Sequence, residues 1–335
     1  MQILRAGIKT PREPRCERQA AGSQERRRRR IHSDTPRRSD AGDGGLAPQP
    51  EGLGGFASPR CVARRRRSTP PATPPPRALR GWQLRPARPR GVLIPALTLN
   101  TWGHHGPPER IPLLRKTLGS LHPEILCLQE TPDKGFLSTL ASDLGAATCF
   151  HAPESGLGIL SRFPALTHRI VTYRVRSALE TYCRQALLAQ LDLGSQSLWV
   201  ITTHLAWIAS DETTRCAQVE ELLTLAKPLG DSVLLGGDFN TPPNAPSIQR
   251  IREAGFLDLF GRLHPREPGI TWDNQNLFIQ SHSVKFQDRR IDYLFLNKKG
   301  GERFSPADCE VVCRTPTADG IYPSDHYGVM ALFRQ

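Results

Sequence analysis

From residue 91 onward the sequence is cut into short apolar runs, each closed by turn or polar residues, and this punctuation most restricts the folds open to it. The runs fall at 93–102, 124–129, 157–161, 186–193, 197–204, 232–237, 291–296 and 327–333. Runs of this length, several alternating apolar with polar positions, predict β-strands, some of them half-buried. Helical spacing predicts helices at 111–121, 134–144 and 212–225; in the last, Val219, Leu222 and Leu223, with Ala226 just beyond, share one face. The stretch 191–199 predicts a hairpin turning at Gly194-Ser195. Strands and helices mix without strict alternation, which favours packed mixed sheets with outer helices over a doubly wound sheet. The 245 residues from 91 to 335 suit one such α/β domain.

Residues 1–90 show neither period. They contain 13 Pro, 9 Gly and 21 Arg, including Arg26 to Arg30 and Arg64 to Arg67. A segment of that composition buries too little apolar surface to offset its ordering entropy, and a disordered N-terminal tail is expected. It also carries the charge: residues 1–90 hold 22 basic and 7 acidic side chains, residues 91–335 hold 23 and 25, so the chain's +13 belongs to the tail. Three readings stay open for it: a nucleic-acid or membrane-surface arm, a transit peptide, or sequence upstream of the true start. Met occurs at positions 1 and 330 alone, and 38 Arg stand against 7 Lys as high-GC codons give, which makes Val92 a candidate GTG start. No apolar run approaches the roughly 18 residues of a membrane span, and the first thirty residues lack the apolar core of a secretory signal. The expectation is a soluble, cytoplasmic monomer. The eight cysteines form no CxxC pair, so buried free thiols are expected rather than disulfides or thiolate zinc. Cys309 and Cys313, four apart in a strand-like run, are expected on one face.

Nearly every apolar run ends in carboxylate, amide or imidazole. The clusters are Asn100-Thr101-Trp102, Gln129-Glu130-Thr131, Thr203-His204, Gly237-Asp238-Phe239-Asn240, Arg290-Ile291-Asp292 and Ser324-Asp325-His326. Strand ends that converge on one edge make a site. Singly, each has a plainer reading: Glu130 as a helix N-terminal carboxylate, Asp238 and Asn240 as caps of a turn, His204 as a satisfied core histidine. The donors are oxygen and imidazole without thiolate, a set suited to a hard cation such as Mg²⁺.

In this order the six clusters, together with the stretch from Gly156 to Pro164, resemble the endonuclease/exonuclease/phosphatase superfamily of metal-dependent phosphoesterases. That superfamily includes deoxyribonuclease I, apurinic endonucleases, neutral sphingomyelinases and inositol polyphosphate 5-phosphatases, and the resemblance covers about residues 97–332. It implies an α/β fold, a four-layer α/β sandwich of two mixed β-sheets flanked by helices, with the site at one sheet edge. It further implies Glu130 as the metal carboxylate with Asn100 beside it, and Asp325 near the metal. Asp238 and Asn240 match the pair that positions the attacking water and the phosphate, His204 the histidine at the scissile phosphate, and Asp292 and His326 the carboxylate–histidine pair.

Phosphodiester hydrolysis needs the phosphate charge screened, a water activated and the leaving oxygen stabilised. Mg²⁺, with Mn²⁺ as a substitute, on Glu130 helped by Asn100 or Asp325 meets the first need. Asp238 is suited to orient or deprotonate water, and His326 fixed by Asp292 to transfer or donate a proton. The expected function is therefore a Mg²⁺-dependent phosphoesterase acting by direct attack of water. The near-neutral domain favours a small phosphodiester or lipid head group, as do similarities of the 100–103 stretch to sphingomyelinase-type members. The alternatives are a DNA or RNA nuclease of the same fold and a non-catalytic phosphate binder. A basic patch from Arg110, Arg115, Lys116, Arg174, Arg176 and Arg184, if shared on one face, favours nucleic acid. His104 and His105 read as metal or phosphate ligands or as a solvated loop, and Trp102, Trp207 and Trp272 as stacking or packing groups. Arg289 and Arg290 read as a phosphate clamp or a charged strand start, and residues 269–288 as a substrate-facing loop.

Overall fold

The computed structural model describes residues 93–334 apart from 195, 231, 283 and 284; the expected tail of residues 1–90 and half of the predicted hairpin turn lie outside the described residues. The chain forms β1 (Leu93–Asn100), α1 (Arg110–Leu121), β2 (Ile125–Gln129), α2 (Lys134–Leu144), β3 (Thr148–Ala152) and β4 (Leu157–Ser161). It continues through β5 (Ala165–Thr172), β6 (Gln185–Asp192), β7 (Ser197–His204), α3 (Glu212–Ala226), β8 (Val233–Asp238), α4 (Pro246–Glu253), β9 (Phe256–Asp258) and α5 (Leu259–Leu263). The last elements are α6 (Leu277–Gln280), β10 (Asp292–Asn297), α7 (Lys298–Arg303), β11 (Ser305–Val312) and β12 (Gly328–Arg334). None of the described helices is long and apolar enough to cross a membrane.

Two six-stranded sheets result, ordered β11-β12-β1-β2-β4-β3 and β5-β6-β7-β8-β10-β9. Both have one central parallel pair, β1 with β2 and β7 with β8, and antiparallel neighbours on either side. The two-residue period of the central strands sorts their side chains into layers. Ile94, Ala96, Ile125 and Cys127 face Leu187, Val200, Leu234 and Leu294 between the sheets. Leu97, Leu99, Leu126 and Leu128 point outward onto Leu114 and Leu118 of α1 and Leu137 and Leu140 of α2. On the far side Leu188, Ile201 and Leu235 meet Val219 and Leu222 of α3 and Ile248 and Ile251 of α4. The four-layer sandwich of two mixed sheets follows, because strands buried on both faces need a helix layer outside each sheet.

Local chemistry sets the element boundaries. Asp133 caps α2 by accepting from the Phe136 N–H at 2.7 Å, and Gly145 ends it in the left-handed region at φ 61°. β3, β5, β9 and β11 go beyond the predicted strands. β5 and β11 are sheet-edge strands that bury little, and Pro306 and a register shift interrupt β11, so the apolar period is lost from their sequence. Cys309 and Cys313 do not share a face. Cys309 packs between the sheets, whereas Cys313, just past β11 at φ 62°, turns into the outer layer under α1 and α2.

Arg290 resolves as structural. Its guanidinium donates to both Asp258 oxygens at 2.7 and 2.8 Å, and both side chains are 5% exposed. Asp258 also caps α5 through the Gly261 N–H at 3.0 Å. Removing the carboxylate strands a buried guanidinium, so Asp258→Ala is expected to lower unfolding free energy by about 3–5 kcal/mol. Urea denaturation checks this, and an unchanged midpoint would refute it.

Candidate active site

Strand direction assembles the site. Parallel β1 and β2 finish together at Asn100 and Gln129, and parallel β7 and β8 finish together at His204 and Asp238. β10 and β12 run antiparallel to these strands and therefore begin at the same edge, where Asp292 pairs in register with Asp238. All six polar clusters thus meet at one edge of the sandwich. The backbone is shaped for this: a Cβ on Gly237 would lie 2.2 Å from the Thr203 carbonyl oxygen, so only glycine lets β8 approach β7 just before Asp238.

The second sheet's side of the site is a buried acid–imidazole cluster. His326 Nδ1 lies 3.0 Å from Asp292 Oδ2, and its Nε2 lies 3.8 Å from Asp238 Oδ2. Burial works against an imidazolium at His326, but the Asp292, Asp238 and Asp325 carboxylates outweigh it and hold its pKa well above the ordinary value. Burial, opposed by His326 and reinforced by Asp292, pushes Asp238 up to about 7. His204 Nε2 lies 3.4 Å from Asp238 Oδ2, yet burial and then the Arg184 and His326 cations drive its pKa well below normal, so its imidazole is neutral. Asn240 closes the turn, its N–H donating to Asp238 Oδ1 at 2.9 Å and its amide to the Leu205 carbonyl at 3.1 Å. Trp272 sets its ring edgewise against His326, with centroids 5.1 Å apart.

The first sheet contributes the second carboxylate group. Asn100 Nδ2 donates to Glu130 Oε1 at 2.9 Å and to Asp238 Oδ2 at 3.0 Å, while its oxygen accepts from the Trp102 N–H, so it orients two carboxylates at once. Partial burial and the nearby Asp325 charge raise the pKa of Glu130. Two like charges held together, donors of oxygen and imidazole without thiolate, and a buried Asp292 Oδ1 without a hydrogen-bond partner among the described residues fit a hard divalent cation. Asp238, Asp292 and His326 also bring three potential ligand atoms within 4.8 Å of one another.

A cavity of about 440 Å³ lies over these groups, lined also by Trp102, Tyr182, Trp207, Trp272, Phe286 and Arg289. Of the two histidines after Trp102, His105 lines this cavity and exposed His104 pairs with Asp133 at 3.1 Å. The 269–288 segment does face the site, tied down by the Asn276 amide donating to the Ser324 and Asp325 carbonyls at 2.9 and 3.2 Å. It brings in His282, whose Nε2 lies 3.1 Å from Asp325 Oδ2 and which no sequence motif singled out. Three of the six basic residues that a shared patch would need are engaged elsewhere. Arg110 is fully buried, donating to the Thr101, Gly103, His105 and Pro323 carbonyls, Arg115 pairs with Asp143, and Arg184 is buried against Glu180.

The fold is thus a two-sheet sandwich that gathers buried carboxylates and imidazoles at one edge. The Endonuclease/Exonuclease/phosphatase family model matches residues 97–326, and the chain belongs to that family. Over 155 residues it is 26% identical to tyrosyl-DNA phosphodiesterase 2 of Danio rerio, a match covering 45% of this chain and 42% of that relative. Among solved structures, D. rerio TDP2 complexed with a single-strand DNA product superimposes with a TM-score of 0.62 at 21% identity, covering 72% of this chain and 99% of that one. A family protein from Bacteroides thetaiotaomicron gives 0.59 at 15% identity, covering 73% and 99%.

Proposed function

We propose that this protein is a Mg²⁺-dependent phosphodiesterase acting on nucleic acid whose strand is unpaired at the scissile bond. The observation that carries the reading is the acidic, imidazole-floored cavity of about 440 Å³ with aromatic walls. Its size falls in the roughly 300–1,000 Å³ range of small-ligand sites, which suits a nucleotide unit rather than a duplex lying across the surface. Aromatic walls supply the stacking surfaces of single-strand binding, and Arg289 on the wall supplies a cation for the backbone. The likeness to a phosphodiesterase solved with single-strand DNA product supports the same substrate class. The expectation of a small phosphodiester or lipid head group, drawn from the domain's low net charge and the 100–103 stretch, gives way to these observations, because an aromatic-walled cavity grips bases as well as phosphate.

Glu130 and Asp325 would hold the cation, with Asn100 orienting Glu130. Once bound, a divalent cation neutralises phosphate charge and stabilises the leaving oxygen. Asp238, poised near neutrality, takes a proton from the water whose oxygen forms the new bond to phosphorus. Asn240 and neutral His204 hold phosphoryl oxygens without adding negative charge, and Arg289 offers a cation from the cavity wall. His326, fixed by Asp292, supplies the proton as the bond to the leaving oxygen breaks. Incubating the protein with single-stranded and duplex oligonucleotides, sphingomyelin and a small phosphodiester, with Mg²⁺, Mn²⁺ or EDTA, tests the reading. Cleavage of single strands that EDTA abolishes is expected; turnover confined to sphingomyelin or the small ester would overturn it.

A further inference from the structure

Three tryptophans border the cavity, and their surroundings separate them. Trp102 stacks on Phe278 with centroids 4.9 Å apart and has the Arg110 guanidinium 5.4 Å from its ring. Trp272 is 7% exposed and packed edgewise among His282, Phe286 and His326. Trp207 is 38% exposed and has no ring contact among the described residues, although an indole left in water forgoes its large burial gain. Beside it on the same cavity stands Tyr182, 48% exposed, its hydroxyl interacting with the Trp207 side chain.

The two rings are held rather than loose. Glu180, whose side chain is fully buried, accepts from Arg184 at 2.8 and 3.1 Å and from the Trp207 backbone N–H at 2.6 Å. One carboxylate therefore ties the turn carrying Tyr182 to the loop that follows β7 and carries Trp207. The Arg184 guanidinium in turn backs the Tyr182 ring at 4.7 Å. Rings held in place by a buried ion pair lose little freedom when a flat partner stacks on them, which favours binding at this wall of the cavity.

We infer that Tyr182 and Trp207 form a stacking wall for a nucleobase adjoining the scissile phosphate, with Glu180 and Arg184 as its positioning residues. The inference rests on the nucleic-acid reading above and adds which group of the substrate is gripped, and by what. A base has a flat, polarisable face of any sequence, so such a wall selects for the presence of a base and not for its identity.

The test uses the full chain with Mg²⁺ and oligonucleotides holding one phosphodiester among methylphosphonate linkages. The residues flanking it are either normal nucleotides or abasic tetrahydrofuran units. The wild type is expected to prefer the base-bearing strand by about tenfold or more in kcat/KM, in line with the worth of one stacked base. In Trp207→Ala that preference is expected to fall to within about twofold, with Trp207→Phe recovering most of it and Glu180→Gln weakening it through KM more than kcat. A wild type indifferent to the base, or a variant that keeps the full preference, overturns the wall while leaving the nucleic-acid reading standing. Turnover of a small phosphodiester with neither oligonucleotide cleaved overturns both.

Discussion

His326→Ala and Asp292→Ala are each expected to lower kcat by about 10³-fold, within the usual range for a positioned acid or base, and the double variant is expected to fall little further. The reason is the 3.0 Å contact between Asp292 Oδ2 and His326 Nδ1, both buried. Asp292 fixes the ring's orientation and keeps the Nδ1 proton, leaving Nε2 turned toward Asp238 at 3.8 Å. A histidine without that carboxylate loses both its tautomer and the charge that sustains its proton, so removing either partner removes one shared function. Residues that act as a unit give strongly non-additive losses. Single-turnover kinetics on all three variants, with circular dichroism to confirm folding, measure the coupling. Losses that multiply in the double variant would mean that the pair does not work as one group.

Glu130→Gln is expected to reduce turnover at least about 100-fold at millimolar Mg²⁺, because a neutral amide is a much weaker ligand for a hard cation than a carboxylate. A second readout separates metal loss from chemical damage. In the wild type, Mg²⁺ is expected to raise the melting temperature by binding the folded state alone and relieving the repulsion between Glu130 and Asp325 that helps raise the Glu130 pKa. In the variant that Mg²⁺-dependent rise should vanish, while the metal-free protein melts at or above the wild-type temperature since one of two like charges has gone. A variant that keeps both the thermal shift and the activity would show that the cation sits elsewhere, for instance among Asp238, Asp292 and His326.

Much of this architecture is present in the order of residues. Eight apolar runs predict eight of the twelve strands among the described residues, since those runs become strands buried on at least one face and burial imposes the apolar period. The polar clusters at their ends were legible for the same reason: a carboxylate such as Asp238 at the end of an otherwise apolar run has no packing role there. The edge strand β5 left no such trace, because a strand exposed along most of its length reads like a loop, and β11 showed only around Cys309.

Net charge follows from composition, but the fold decides where each charge sits. Arg110, Arg184 and Arg290 look in sequence like surface cations, yet each is buried: Arg110 by carbonyls gathered from residues 101 to 105 and from Pro323, Arg184 by Glu180 four residues before it, and Arg290 by Asp258 from β9. His282 carried no motif at all, and it reaches Asp325 because the Asn276 amide pins its loop to residues 324 and 325.

The layers, the polar residues at the strand ends and the family follow from the order of residues, because burial period and residue type are local properties. Tertiary structure alone decided which groups meet. The opposed directions of β8 and β10 put Asp238 level with Asp292, and the antiparallel return of β12 brings His326 to both. It also decided which aromatic rings are packed and which stand exposed over the cavity, since a side chain's neighbours across a fold follow from strand direction and loop anchoring, neither of which is encoded within reach of the residue itself.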